Sequence, residues 1–376
     1  MAASLYRSCV ASKVRSRSES TVERRIMLRR AEWMPESAAS KGALRKYVVV
    51  VGSLVLGALT LAAAFMLLFD AQTLPDHFSQ IERAGDRNWY RDFGGQHIPQ
   101  IQDQDIFYSN IGSSIAAARA ADVVFLGPSF VSYAIDRQTL QASDQLDRLK
   151  LYNMAFVGIR GGEFSRRVIA RWNVRPRLWV INVDDQFAHF FSSDLNVTLG
   201  PQKVPVAAVS RDRLRGYLTV IGRNLRWRLE DVVAAARTGH FSDSGLYRNV
   251  TNGDMALDVN PSYVAPNNMP MRSARDQACD TSAEIVGYAK AFLKEIGGRV
   301  VFMLVPHSQS CARQAEQLAR ALGVELIAPP FDGLTTLDGG GHLDKKGAEK
   351  FTGYLAAEIV KTSAFKDVFL SSSAGK

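Results

Sequence analysis

Between Tyr47 and Phe69 the chain reads YVVVVGSLVLGALTLAAAFMLLF, without a single charge. A helix of that length, at 1.5 Å per residue, spans a hydrocarbon core about 30 Å thick, and it is longer than the roughly 7–15 apolar residues of a signal peptide. The run therefore predicts an uncleaved transmembrane helix over 47–69. Ahead of it, eleven Lys and Arg stand against four Glu, so most of the net charge of +9 lies before residue 48. Under the positive-inside rule this block keeps residues 1–46 in the cytoplasm and exports the chain from Asp70 onward. The expected location is a bacterial inner membrane, crossed once, with the N-terminus cytoplasmic and the C-terminal domain periplasmic.

The remaining 35 basic and 33 acidic residues nearly cancel. A nearly neutral body gives no basic footprint for nucleic acid, which is not expected as a partner. Residues 1–46, rich in Ser, Arg and Ala, are predicted as a disordered cytoplasmic tail. Of three cysteines, Cys279 and Cys311 fall on the exported side, where a disulfide can persist. Neither a CxxC nor a Cys/His cluster occurs, so no metal is expected. No Gly-rich phosphate loop follows any strand, and no cofactor is expected.

Residues 70–110 are broken by Pro75, Gly85, Gly94, Gly95 and Pro99 and are predicted as a stalk or wrapping segment. From Ile111 the pattern alternates. Helices are predicted over 111–121, 162–172, 282–296, 310–322 and 345–360, and strands over 122–126, 151–154, 178–183, 299–305 and 324–327. Continuous apolar strands between helices mark a parallel sheet covered on both faces, an α/β fold of three layers, flavodoxin-like in type. This domain is placed at 111–362, with an insertion at 187–280 read as a lid or partner surface and a tail at 363–376.

Two stretches carry the chemistry. Asp122-Val-Val-Phe-Leu-Gly-Pro-Ser129 is a strand that stops at a turn and delivers a serine, and open α/β sheets hold their ligands beyond the C-terminal ends of such strands. Asp338-Gly-Gly-Gly-His342 opens the last predicted helix. A serine nucleophile needs a base within hydrogen-bond reach and donors for the developing oxyanion. Of the six histidines, only His342 combines a nearby acid with a helix start. Asp338 is the candidate for fixing its tautomer.

Four blocks together resemble the SGNH (GDSL-like) esterases and acyltransferases across residues 120–362: Gly127-Pro-Ser129, Asn153 to Gly158, Ile181-Asn-Val-Asp-Asp-Gln186, and Asp338 to Phe351. The resemblance implies Ser129 as nucleophile, His342 as base and Asp338 as its orienting acid. It further implies Gly158 and Asn153 in the second block as oxyanion or substrate residues. Pro128 stands where the family has Asp, Asp338 is one residue farther from its histidine, and the third block lacks the Gly-X-Asn donor, leaving Gln186 as a substitute beside Asp184 and Asp185. His307, after the fourth strand, is a further candidate for touching substrate.

Membrane-anchored members of that family resemble proteins that add or remove acyl groups on envelope polysaccharides. The expectation is a serine esterase or O-acyltransferase with a carbohydrate substrate and a membrane-bound acyl donor protein. Its competitor is a catalytically silent scaffold of an envelope polysaccharide assembly system, favoured by Asp184 and Asp185.

Overall fold

The computed structural model describes residues 39–68, 80–83, 86–94, 98–99, 107, 114–156, 162–183, 229, 232–233, 236–237, 245–256, 269–270, 279–308, 310–337 and 340–371. The chain divides into two units, Met1–Phe69 and Asp70–Lys376. In the first, α1 (Ala39–Leu68) is a continuous helix of 30 residues. Its side chains are described over 45–60, where Val48, Leu54 and Leu56 are exposed. Among the described residues no helix is long and apolar enough to cross a membrane.

The second unit contains, in order, β1 (Gln80–Arg83), β2 (Asp86–Gly94), β3 (Ile98–Pro99), α2 (Ser114–Arg119), β4 (Val123–Pro128), α3 (Ser129–Ala134), α4 (Arg137–Gln141), β5 (Leu151–Phe156), α5 (Gly162–Trp172) and β6 (Leu178–Asn182). There follow β7 (Gly245–Asn249), β8 (Met255–Ala256), β9 (Met269–Pro270), α6 (Ala283–Ile296), β10 (Arg299–Met303), α7 (Ala312–Leu322), β11 (Leu326–Ile327), β12 (Thr335–Thr336), α8 (Lys345–Ile359) and α9 (Ser363–Phe369).

Five strands form a parallel sheet in the order β5-β4-β6-β10-β11. Numbered along the chain this is 2-1-3-4-5, the order of flavodoxin-like sheets, with the direction of winding reversing between β4 and β6. Successive side chains alternate between two apolar cores. Val124, Leu126, Met154, Trp179, Ile181 and Phe302 face α2, α5, α6 and α7. Val123, Phe125, Val180, Val301 and Met303 face α3, α4, α8 and α9. Burial on both faces is why these strands read as unbroken apolar runs, and it makes the unit a three-layer α/β structure.

The ends differ from expectation. β4 and β5 both run two residues farther, because their register continues through Gly127↔Ala155 and Pro128↔Phe156. Pro128 is tolerated at the strand end, where no ladder N–H is required. Residues 363–369, predicted as tail, form α9, whose Thr362 caps the helix by accepting from Phe365 N–H.

The segments 70–110 and 187–280 come together. The predicted stalk or wrapping segment supplies β1, β2 and β3, and the predicted insertion supplies β7 and β8, all in one antiparallel sheet. The pairing Trp89↔Asn249 joins segments far apart in sequence. The turn after β7 then seals the outer edge of β5: Asn153 N–H donates to Asn252 O at 2.7 Å, and Arg248 Nη2 donates to Ala155 O at 2.8 Å. A side chain on Gly253 would collide with Asn153 O at 2.0 Å, so glycine permits this approach. An unpaired edge strand is thereby covered.

Farther on, β9 pairs antiparallel with β12, which brings the end of the same insertion beside the loop leading to His342. Cys279 and Cys311 are disulfide-bonded, with Cα atoms 6.2 Å apart, and Cys311 also caps α7.

Candidate active site

β4 ends at the place where the winding of the sheet reverses, and Ser129 is the first residue of the next helix. The turn between them is tight. A Cβ on Gly127 would lie 2.5 Å from Val131 Cγ2 and 2.9 Å from Asn182 Cβ, so only glycine allows α3 and the end of β6 to close together here. Pro128 precedes the helix and offers no side-chain cap. The first N–H groups of a helix have no intrahelical acceptor.

His342 reaches the same place from the opposite end of the domain. Its loop folds back on itself: Leu337 N–H donates to His342 O at 3.0 Å, and Thr336 bridges Leu343. Gly340, at φ +130°, sits where a side chain would collide with Ser308, and Ser308 N–H donates to Gly340 O at 2.5 Å. The loop carrying His342 is thus fastened to the loop carrying His307. Beyond it, buried Asp344 caps α8 by accepting from Gly347 N–H at 2.8 Å and Thr335 Oγ1 at 2.6 Å. Gly347 is required because a Cβ would sit 2.3 Å from Thr335 O.

A buried hydroxyl sets the distance between the two halves. Thr352 Oγ1 on α8 donates to Ala134 O at 2.7 Å, at the end of α3, and accepts from Asp136 N–H at 3.0 Å. The result is a hydrogen bond of 3.1 Å between Ser129 Oγ and His342 Nε2, across 213 positions of sequence. Both side chains are half-buried. A hydroxyl and an imidazole at this separation can exchange a proton.

Aromatic rings surround the pair. The Phe130 ring lies 5.1 Å from that of His342, and the Tyr133 ring lies 4.4 Å from it. His307, expected at the rim against substrate, is instead 2% exposed and stacked flat on Phe130 at 4.1 Å. Its backbone N–H donates to Ser310 Oγ at 2.8 Å, which closes the loop behind the ring. It touches the site through Phe130.

Nor does the structure bring Asn153 to the serine. Asn153 pairs with Phe125, four residues before Ser129 and so roughly 13 Å lower along the strands. Its buried Oδ1 accepts from Ala155 N–H at 3.1 Å. Asp338, Gly158 and Gln186 lie outside the described residues, as do Asp184 and Asp185.

Four site residues were not singled out from the sequence. Phe130 and Tyr133 follow Ser129 at one and four positions, and the four-residue spacing was the available signal that Tyr133 shares the face of the serine. Thr352 gave none, being one polar residue within an amphipathic helix. Asn182 ends β6, where its buried Oδ1 accepts from Val305 N–H at 2.8 Å and ties the third strand to the exit of the fourth. Among the described residues no group of three or more His, Cys, Asp and Glu is placed to hold a metal ion. No family model, characterised protein or solved structure matches the chain.

Proposed function

We propose that this protein is a membrane-anchored, extracytoplasmic serine esterase or O-acyltransferase of SGNH type, acting on acyl groups of envelope carbohydrate. The observation that carries the reading is the 3.1 Å contact of Ser129 Oγ with His342 Nε2 at the point where the sheet reverses its winding. In the reaction Ser129 Oγ attacks the acyl carbonyl while its proton passes to His342 Nε2. The tetrahedral oxyanion meets the Ser129 N–H at the start of α3, and Gly158 supplies the second donor. Collapse expels the alcohol, which takes the proton from His342. Water or a carbohydrate hydroxyl then accepts the acyl group by the same steps in reverse. Asp338 fixes the His342 tautomer through Nδ1.

Anchorage rests on the uncharged run from Tyr47 to Phe69, whose residues 47–68 lie within the helix Ala39–Leu68. Export is supported by the Cys279–Cys311 disulfide, since such bonds persist in oxidising compartments. In this topology a membrane-bound acyl donor protein and a carbohydrate acceptor are the natural partners.

The test is covalent labelling of the detergent-solubilised full chain with a fluorophosphonate. Labelling of the wild type that disappears in Ser129→Ala and in His342→Ala is the expected result. A folded wild type that takes no label would sink the enzyme reading and favour a silent scaffold of the same fold.

A further inference from the structure

The base of this site leans on rings. Phe130 and Tyr133, three apart on α3, occupy neighbouring positions on one helical turn and both close on the His342 imidazole, at 5.1 and 4.4 Å between centroids. Phe130 is backed by His307, parallel to within 7° at 4.1 Å. The loops carrying the two histidines are fastened by the Ser308 N–H to Gly340 O bond. Each ring face carries negative potential, so a cation formed within about 6 Å of the centroid is attracted to it. His342 becomes such a cation when it accepts the serine proton.

We propose that Phe130 and Tyr133 are positioning residues that stabilise the protonated form of His342, with His307 holding the Phe130 ring in place. The proposal rests on Ser129 and His342 acting as nucleophile and base. Among the described residues, the titratable groups packed here are Tyr133 from α3, whose ring meets the imidazole, and His307 from the loop behind Phe130, while Asp338, proposed to hold Nδ1, lies outside the described residues. The described bonds of the Asp344 carboxylate run to Gly347 N–H and Thr335 Oγ1. Lys345 and Lys346 are exposed at the start of α8.

The experiment uses the full chain in detergent and two readouts. The first is the rate of fluorophosphonate labelling, in which Ser129 Oγ bonds to phosphorus, fluoride leaves and the serine proton passes to His342. The second is the His342 imidazole titration followed by NMR, with the resonance assigned by its loss in His342→Ala. Phe130→Leu keeps an apolar side chain and removes the ring face. It is expected to lower the His342 titration midpoint and to slow labelling about threefold, while Phe130→Tyr restores both. Should Phe130→Leu fail to fold, Tyr133→Leu, at a half-exposed position, carries the same expectation.

A midpoint unmoved in the folded leucine variants overturns the proposal whatever the labelling rates. A wild type that takes no label counts against the nucleophile, whereas the titration still decides whether the rings hold the cation.

Discussion

The parallel sheet β5-β4-β6-β10-β11 and the antiparallel sheet built on β2 and β7 belong to one unit, but they are held by different forces. The first is dry on both faces, with Val124, Phe125, Trp179, Val180 and Phe302 fully buried. The second meets it along a polar seam. Arg137 grips Asp254 through Nε at 2.6 Å and Nη2 at 2.8 Å and also donates to Asn252 O and Leu151 O. Arg248, with no exposed surface, donates to Gly253 O and Ala155 O and lies over the Phe107 ring. Burial pushes the Asp254 carboxyl up from its ordinary range, against the opposing pull of Arg137 and then Arg248. Apolar burial is non-directional and tolerant, whereas a buried charge is costly unless its partner is in place. The site sits on the rim of the tolerant sheet, and Arg137, at the start of α4 eight residues after Ser129, is part of the demanding seam.

This contrast can be broken at its strongest point first. Phe302→Ala, fully buried on β10 of the parallel sheet, is expected to cost about 3–5 kcal/mol, and urea unfolding should show both sheets lost in one transition. Asp254→Ala leaves Arg137 without its carboxylate and removes a neighbouring counter-charge from Arg248, and is expected to cost about 3 kcal/mol. Its effect should be uneven. In hydrogen exchange, 86–94 and 245–256 should lose protection well before 123–128, and an equal loss in both would show that the two sheets are not separately held.

Thr352→Val removes the hydroxyl between Ala134 O and Asp136 N–H, two groups that α3 and α4 cannot otherwise pair. A cost of about 1–3 kcal/mol is expected from thermal melting, with slower fluorophosphonate labelling because the spacing between Ser129 and His342 relaxes. Full labelling speed would mean that the apolar contacts of α8 alone set this spacing. Gly127→Ala should cost about 1–3 kcal/mol for the same reason that the site is tight, since Val131 and Asn182 must move.

The smallest effect is a pH dependence confined to the periphery. Burial pushes Glu163 up, but hydrogen bonds from Arg166 and Arg167 outweigh it and hold its carboxyl below 4.5. In Glu325 burial is likewise outweighed, by hydrogen bonds from Ser363 and Ala364 at the start of α9. A carboxyl whose folded pKa is depressed adds stability that is complete above its unfolded value. That stability is lost as pH falls through 4.5 and on through the lower folded value. The melting temperature of the wild type should therefore decline below about pH 5 more steeply than that of Glu163→Gln.

Much of the parallel sheet was legible in the sequence because both faces of it are buried. Strands such as Leu178 to Asn182 had to be apolar at nearly every position, and that pattern is local. The serine and the histidine were legible for a related reason, since each ends or begins a regular element and is marked by glycines that permit close approach. The second sheet was not legible. β2 reads DRNWYRDFG and β7 reads GLYRN, short strands of mixed character that pair with each other from far apart in sequence, so no clean periodicity announces them. Similarly, Asn153 matched a motif by spacing, but only the register with Phe125 shows how far below the rim it lies. His307 was expected at the rim, and its burial behind Phe130 depends on a loop tied by Ser308 to Gly340, a contact no local pattern announces.

What the amino-acid order determined by itself is whatever depends on neighbours within a few residues: the apolar run from Tyr47 to Phe69, the alternation of helix and buried strand, the caps at Ser282 and Asp344, and the glycines of two turns. What only the tertiary structure decided is whatever depends on residues far apart along the chain. The 3.1 Å between Ser129 and His342, the rings that flank the imidazole and the pairing of 86–94 with 245–249 all belong to this second kind. Such contacts exist only after the chain has met the entropy of closing long loops, and they are specified by the whole packed core rather than by any stretch within it.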